Sequence, residues 1–428
     1  MSGSFHQEKL SNGLLVNLKE IHTSPIISHW VWYRVGSRNE VRGKTGISHW
    51  VEHMQFKGTP KFPPGVIDRA ISRDGGFWNA FTFLDWTTFF ETAPAEKITL
   101  AFELESDRMV NATYDTDEVN SERTVIISER QGSENEPHFK LDEAVHEAAF
   151  STHPYRNEVL GSIADLNAIQ RDDLYRHYRT HYCPSNAVLA IAGDFNTKEM
   201  LDLVNKYYAA IPAGKVQPQV PNPEPVAGQE KHVEVSGPGE TTYLQVSYRA
   251  PAAADADFFI ATVLDSLLSG PSSLNMFGGG GTSNKTCRLY RALVEKELAI
   301  SVFGGLQATI DPYLYTINIT VRPDRKPDAV INQLDHEIEK LQQDPVPQVD
   351  IDRAIKQARA LFAYGSENIT NQAFWLGYAE MFDKYDWFTS YMDRLNQVTP
   401  QQVQQAAQEY FNPNKRVVGV YSPEEVKQ

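Results

Sequence analysis

With 428 residues, 41% of them hydrophobic, and a formal net charge of −15, the chain is long enough for two to three domains with ordinary cores. Its acidic balance excludes a phosphate-backbone binder, which needs clustered Lys and Arg, so nucleic acid is not an expected partner. No apolar run reaches the roughly 18 to 20 residues needed to span a bilayer, and the opening MSGSFHQEKLSNG lacks the basic and apolar regions of a signal peptide; the expectation is a cytoplasmic protein with no membrane span. Cys183 and Cys287 are too far apart for a metal pair and too few to staple a scaffold, and read as inert, buried thiols. An acidic surface suits cationic peptides, although solubility alone explains such an excess of carboxylates.

In chain order, the first clear strand is the alternating HWVWYRVG from His29. GISHWVEHMQFKGTP follows and reads as a helix up to the breaker at Gly58–Pro60. FWNAFTFLDWTTFFETAP, residues 77–94, reads as a strand of period two. DTDEVNSERTVIISERQGS, residues 115–133, reads as a helix with Asp and Thr at its start and acidic side chains in its first turn, where they suit the free amides and the dipole. Proline is dense in residues 211–231, as in an extended linker that packs into no core. This divides the chain into domains 1–210 and 232–428. YLQVSYRAP from Tyr243 aligns Tyr248 and Arg249 with Tyr33 and Arg34, and Phe411, Asn412 and Pro413 recur in the place of Tyr182, Cys183 and Pro184. The pattern indicates an internal duplication: two homologous α+β domains, each an antiparallel sheet with helices packed on one face, and not a doubly wound nucleotide fold.

His49, Glu52 and His53 form a His-x-x-Glu-His string. On a helix, positions four apart share a face, so both imidazoles reach one ion, while Glu52 stands near enough to touch a water on that ion. This is the reversed order of the commoner zinc helix; taken alone, it is also compatible with an ordinary core-and-surface helix. A catalytic zinc needs a third protein ligand. Glu122 and Glu129 lie two turns apart on the 115–133 helix and share a face, which on its own is equally a solvated acidic surface.

HWVEHMQFKGTP resembles the pattern HFLEHMLFKGT of the M16 (pitrilysin and insulinase) metallopeptidases, particularly the branch of mitochondrial processing peptidase. KLSNGLLV, WNAFTFLDWTTF, SDRMVNATYDTDEVNSERTVIISE, HPYRNEVLGSIADLNAI and YCPSNAVLAIAGDF agree with it, strongly over the first half and more weakly over the second. The resemblance implies a LuxS/MPP-like fold and a zinc endopeptidase acting on peptide substrates. His49, His53 and Glu129 would bind Zn²⁺ and Glu52 would be the general base for the water. Glu122 would orient an imidazole. Phe77, Trp78, Asn79, Ala80, Phe81 and Thr82 would form an edge strand that takes the substrate as an added strand, and Phe56 would line the pocket beside it, a core role being the alternative.

The chain also departs from that pattern. Asp257–Leu268, in the place corresponding to the zinc helix, contains no His or Glu, which implies one metal site per chain. Self-sufficient members supply an Arg and a Tyr from LREKxGLAY; here ALVEKELAISV puts Val294 and Ile300 in those places, with one residue apparently deleted, and neither side chain donates a hydrogen bond. A paralogous subunit carrying the Arg/Tyr pair is therefore expected, giving a heterodimer. A homodimeric peptidase, a non-catalytic assembly subunit and a peptide-binding module with structural zinc are the alternatives. FGGGGTSN, Phe277–Asn284, lacks the Gly-Lys-Ser/Thr ending of a phosphate loop; it resembles the glycine-rich loop of the non-catalytic mitochondrial subunit, a surface loop being the alternative.

Overall fold

The computed structural model describes residues 4–215, 224–225, 228–274 and 284–424. Much of the proline-rich stretch and nearly all of the run Phe277–Asn284 lie outside the described residues. Among those described, the strands are β1 Ser4–Lys9, β2 Leu15–Glu20, β3 Ile26–Tyr33, β4 Phe77–Thr82, β5 Thr87–Pro94, β6 Ala187–Gly193, β7 Lys231–Gly237, β8 Tyr243–Ala250, β9 Ala299–Leu306, β10 Tyr313–Val321 and β11 Val417–Pro423. They build one sheet in the order β1-β2-β6-β3-β5-β4 and another in the order β7-β11-β8-β10-β9.

Without β1, the two orders coincide place for place. Tyr33 on β3 and Tyr248 on β8 occupy the same central strand and are both buried, and a 3-10 turn, Pro184–Asn186 or Pro413–Lys415, leads into β6 or β11. The duplication is thus present in three dimensions. The sheets are mixed, however, where antiparallel ones were expected: β2 runs parallel to β6, and β7 to β11. A parallel return needs a crossover of a dozen or more residues, which the helices between these strands provide. Residues 77–94, expected as one strand, form a β4–β5 hairpin instead. Its turn is closed by the Phe83 amide donating to the Trp86 carbonyl at 2.8 Å; apolar residues on both sides of the turn hide the break from a periodicity reading.

The chain forms two compact units: Met1–Gln131 with Asn157–Pro221 and Ser366–Tyr385, and Gly132–Arg156 with Asn222–Gly365 and Asp386–Gln428. In the first, alternation on β3 sends Val31 and Tyr33 into a core with Trp50, Phe102 and Tyr178. Trp30 and Trp32 point to the opposite face, where Phe374 of the Ile369–Phe382 helix meets them edge-on at 5.6 and 5.4 Å. That helix packs so closely that a Cβ on Gly377 would stand 2.1 Å from Trp32 Nε1. In the second unit, the Pro137–Ala149 helix puts Leu141 and Val145 against Val417 and Tyr421, while Tyr248 faces the other way onto Phe411. Helices therefore cover both faces of each sheet, not one.

Candidate metal centre

The Ile47–Met54 helix divides its side chains by period. Trp50, Val51 and Met54 are fully buried in the core of the first unit, which turns His49, Glu52 and His53 to the other side. Its start is fixed by Gly46 at φ +84°, where a Cβ would meet the Leu160 carbonyl oxygen at 2.6 Å. The buried Glu40 carboxylate accepts from the Gly46 and Ser48 amides at 2.8 and 2.9 Å, satisfying donors that a helix start leaves free.

A second helix, Thr116–Ser133, buries Val119, Glu122, Ile126 and Arg130, a stripe of helical period, and Arg123 ties it down by donating to the Ile169 carbonyl at 2.8 Å. This anchoring brings Glu129 over the two histidines: its Oε2 stands 3.9 Å from His49 Nε2 and 3.6 Å from His53 Nε2. The three candidate ligand atoms lie within 4.8 Å of one another. Ligands about 2.1 Å from a tetrahedral ion stand roughly 3.4 Å apart, so the donor set fits such an ion with small adjustments of Glu129. His49 is buried and Glu129 is exposed, leaving the group open on the carboxylate side.

Electrostatics suit the same purpose. Burial, aided by neighbouring His53, holds the His49 imidazole down at about 3, so it is neutral with a lone pair to offer. Burial presses His53 down most strongly, but the Glu122, Glu52 and Glu129 carboxylates together outweigh it and the net direction is upward. With His53 Nδ1 donating to Glu122 Oε1 at 2.8 Å, the Nε2 lone pair is turned toward Glu129. Glu122 also receives Lys57 Nζ at 2.5 Å. Although burial raises the Glu122 carboxyl, His53 and Lys57 bring it below its ordinary value. Burial pushes the Glu52 carboxyl up to about 7, against the pull of His53 and of the Thr82 hydroxyl, which donates to Glu52 Oε2 at 2.9 Å. A carboxyl at that position exchanges protons readily near neutral pH.

β4 is an edge strand paired only with β5. Its alternation puts Ala80 into the core and Thr82 against Glu52, whereas Phe77 and Phe81 lie against Phe90 on the opposite face. Phe56 is half-buried with its ring 4.8 Å from Trp78. The two faces thus give Phe77 to Thr82 different environments. Val294 and Ile300 are in the second unit, Val294 half-buried and Ile300 exposed. Sequence reasoning missed Lys57, which lies in the turn after the Ile47–Met54 helix. It also took Thr82 for backbone alone and missed the hydroxyl that holds Glu52.

Comparison with known proteins identifies the family. The family profile described as Insulinase (Peptidase family M16) matches residues 15–162, and that described as Peptidase M16 inactive domain matches residues 168–358. The chain belongs to the M16 peptidase family. Relatives within this family include the zinc protease PqqE of Helicobacter pylori, 25% identical over 421 residues that cover 97% of this chain and 92% of that protein. An uncharacterised zinc protease of Mycobacterium tuberculosis strain H37Rv is 26% identical, with coverages of 91% and 86%. A probable mitochondrial-processing peptidase subunit beta of Arabidopsis thaliana is 27% identical over 275 residues, 64% of this chain and 51% of that one. The fold matches the crystal structure of a protease from Helicobacter pylori with a TM-score of 0.90 at 24% identity, covering 99% of this chain and 100% of that one. It also matches a peptidase M16 inactive domain from Pseudomonas fluorescens with a TM-score of 0.88 at 16% identity and coverage of 99% of both chains.

Proposed function

We propose that the chain is a zinc metalloendopeptidase subunit with its reaction centre at His49, His53 and Glu129. The observation that carries this reading is the convergence of two imidazoles from one helix and a carboxylate from another, with the proton-exchanging Glu52 one residue from a ligand. Zn²⁺ held there would supply Lewis-acid chemistry, polarising a peptide carbonyl and acidifying water at the open position. Glu52, steadied by Thr82, would take a proton from an attacking water and return it to the departing amine. Glu122 keeps the His53 ring in the orientation that offers Nε2. The free edge of β4 presents backbone donors and acceptors to an extended peptide, so affinity comes mainly from main-chain pairing, with Trp78 and Phe56 packed beside it.

Val294 and Ile300 cannot hydrogen-bond to a developing oxyanion, and the proposal assigns that task to an Arg and a Tyr from a paralogous subunit, in a heterodimer. The test is Glu52→Gln, assayed for zinc content and peptide cleavage in the presence of the paralogue. One zinc per chain with cleavage reduced by about 10² to 10⁴ is expected; unchanged cleavage would refute the assignment. Full activity from the isolated wild-type chain would remove the paralogue from the proposal.

A further inference from the structure

Just past the Pro137–Ala149 helix, three consecutive amides converge on one group, the carboxylate of Glu224. The Ser151 amide and hydroxyl donate to Oε1 at 2.6 and 2.7 Å. The Thr152 amide and hydroxyl donate to Oε2 at 2.9 and 3.2 Å, and the His153 amide donates to the same oxygen at 2.9 Å. Arg249 stands beside them, its guanidinium 3.9 Å above the Phe150 ring and 4.0 Å from Oε1. All of these residues belong to the second unit. Successive amides turned into one concavity form a nest that favours an anion. Burial works against the charge of Glu224, yet the Ser151 hydroxyl and the three amides hold its carboxyl down at about 2.

The donor set defines the ligand. The five donors divide two and three between a pair of oxygens, as a planar carboxylate requires, and together they saturate its roughly four lone-pair positions. A carboxamide of the same shape would turn an N–H group against one of the two donor groups. Ser151 and Thr152 are exposed, so the concavity lies at the surface.

Its occupant comes from the proline-dense stretch, where Glu224 stands between Pro223 and Pro225. Proline has no amide to donate, and the residue before it is confined to extended conformations, so backbone hydrogen bonds serve this stretch poorly and a side chain is the available fastening. In the first unit, the start of the same stretch is held where the Ser185 amide and hydroxyl donate to the Ala213 carbonyl at 3.1 and 2.6 Å.

We propose that Ser151–His153 is a carboxylate-binding site whose resident ligand is the chain's own Glu224, which thereby fastens the proline-dense stretch, and that a free carboxylate takes the site once Glu224 is removed or outcompeted. A ligand tethered by a short segment acts at an effective concentration in the millimolar range, so a free carboxylate competes only above it.

The experiment is titration of full-length Glu224→Ala with acetate, followed by saturation-transfer NMR, with acetamide and inorganic phosphate as controls. Saturable acetate binding is expected in Glu224→Ala and not in wild type at the same concentrations; adding Ser151→Ala and Thr152→Ala should weaken it at least about tenfold, 1.4 kcal/mol. In parallel, thermolysin should cut Glu224→Ala and Glu224→Gln between Gly214 and Lys231 at least about tenfold faster than wild type, and acetate in large excess should speed the same cuts in wild type. Acetate binding of equal strength in wild type would place it elsewhere on the chain and overturn the proposal, as would acetamide or phosphate binding as tightly as acetate. Equal cutting of wild type and Glu224→Ala would mean that the carboxylate fastens nothing. Faster cutting spread over residues 232–428 would make Glu224 a prop of the second unit's fold; either result overturns the proposal.

Discussion

Substituting Glu122 by alanine should loosen the metal centre without touching a ligand. The carboxylate accepts from His53 at 2.8 Å and pairs with Lys57 at 2.5 Å, so the change frees the imidazole to rotate and shift its tautomer. A hydrogen bond to a charged acceptor contributes about 1.5–3 kcal/mol, and loss of a ligand-orienting partner typically weakens metal binding about 10- to 100-fold, which is about 1.4–2.8 kcal/mol. The two ranges agree. Glu122→Gln retains an acceptor and should lie near the lower end, while Lys57→Met leaves the carboxylate on His53 and should stay near wild type. Competition with a chromophoric chelator at fixed pH measures all three affinities. An alanine variant that holds zinc as tightly as wild type, or a Lys57→Met variant that loses as much as the alanine one, would refute the reasoning.

Arg108 is fully buried between Glu105, which it grips directly, and Glu91 at 3.7 Å. Arg108→Met leaves both carboxyls without their cation, at an expected cost of about 3–5 kcal/mol. Burial already lifts both carboxyls, against the pull of Arg108. With folded values above unfolded ones, their favourable contribution is complete below the unfolded pKa, near 4.3, and is lost as pH rises through the folded values. The variant raises the folded values further, so its deficit should be larger at pH 8 than at pH 5; denaturant melts showing equal deficits would contradict this. Glu297 has φ +56°, and Glu297→Gly should stabilise the protein by about 0.5–1 kcal/mol, since relief of this left-handed conformation exceeds the entropy glycine adds to the unfolded chain; a lower melting temperature would count against it. Gly377→Ala must push the Ile369–Phe382 helix away from Trp32; overpacking of this kind typically costs about 1–3 kcal/mol, readable by thermal melting, and a neutral result would mean the helix shifts freely.

The candidate centre was legible because its chemistry sits on short periodic strings: the His49–His53 spacing identifies the helix, and two turns between Glu122 and Glu129 give them one face. Thr82 was named, but its hydroxyl contact with Glu52 depends on how β4 lies over the Ile47–Met54 helix, which no spacing encodes. The sheets were legible as α+β and duplicated through Tyr33 and Tyr248. Their mixed pairing was not, because strand direction is set by crossovers far along the chain. The second helical layer was equally hidden: nearly every side chain of Ile369–Phe382 is buried, so the helix lacks the polar stripe that would have announced which surface it covers.

The Ile369–Phe382 helix also sets a timetable. Strands β1 to β6 are complete by Gly193, yet Trp30 and Trp32 stay uncovered until a segment nearly two hundred residues downstream leaves the ribosome. Synthesis proceeds at about 5–20 residues per second, so a broad aromatic surface is displayed for roughly ten seconds or more, long enough to need a chaperone or to recruit a neighbouring nascent chain.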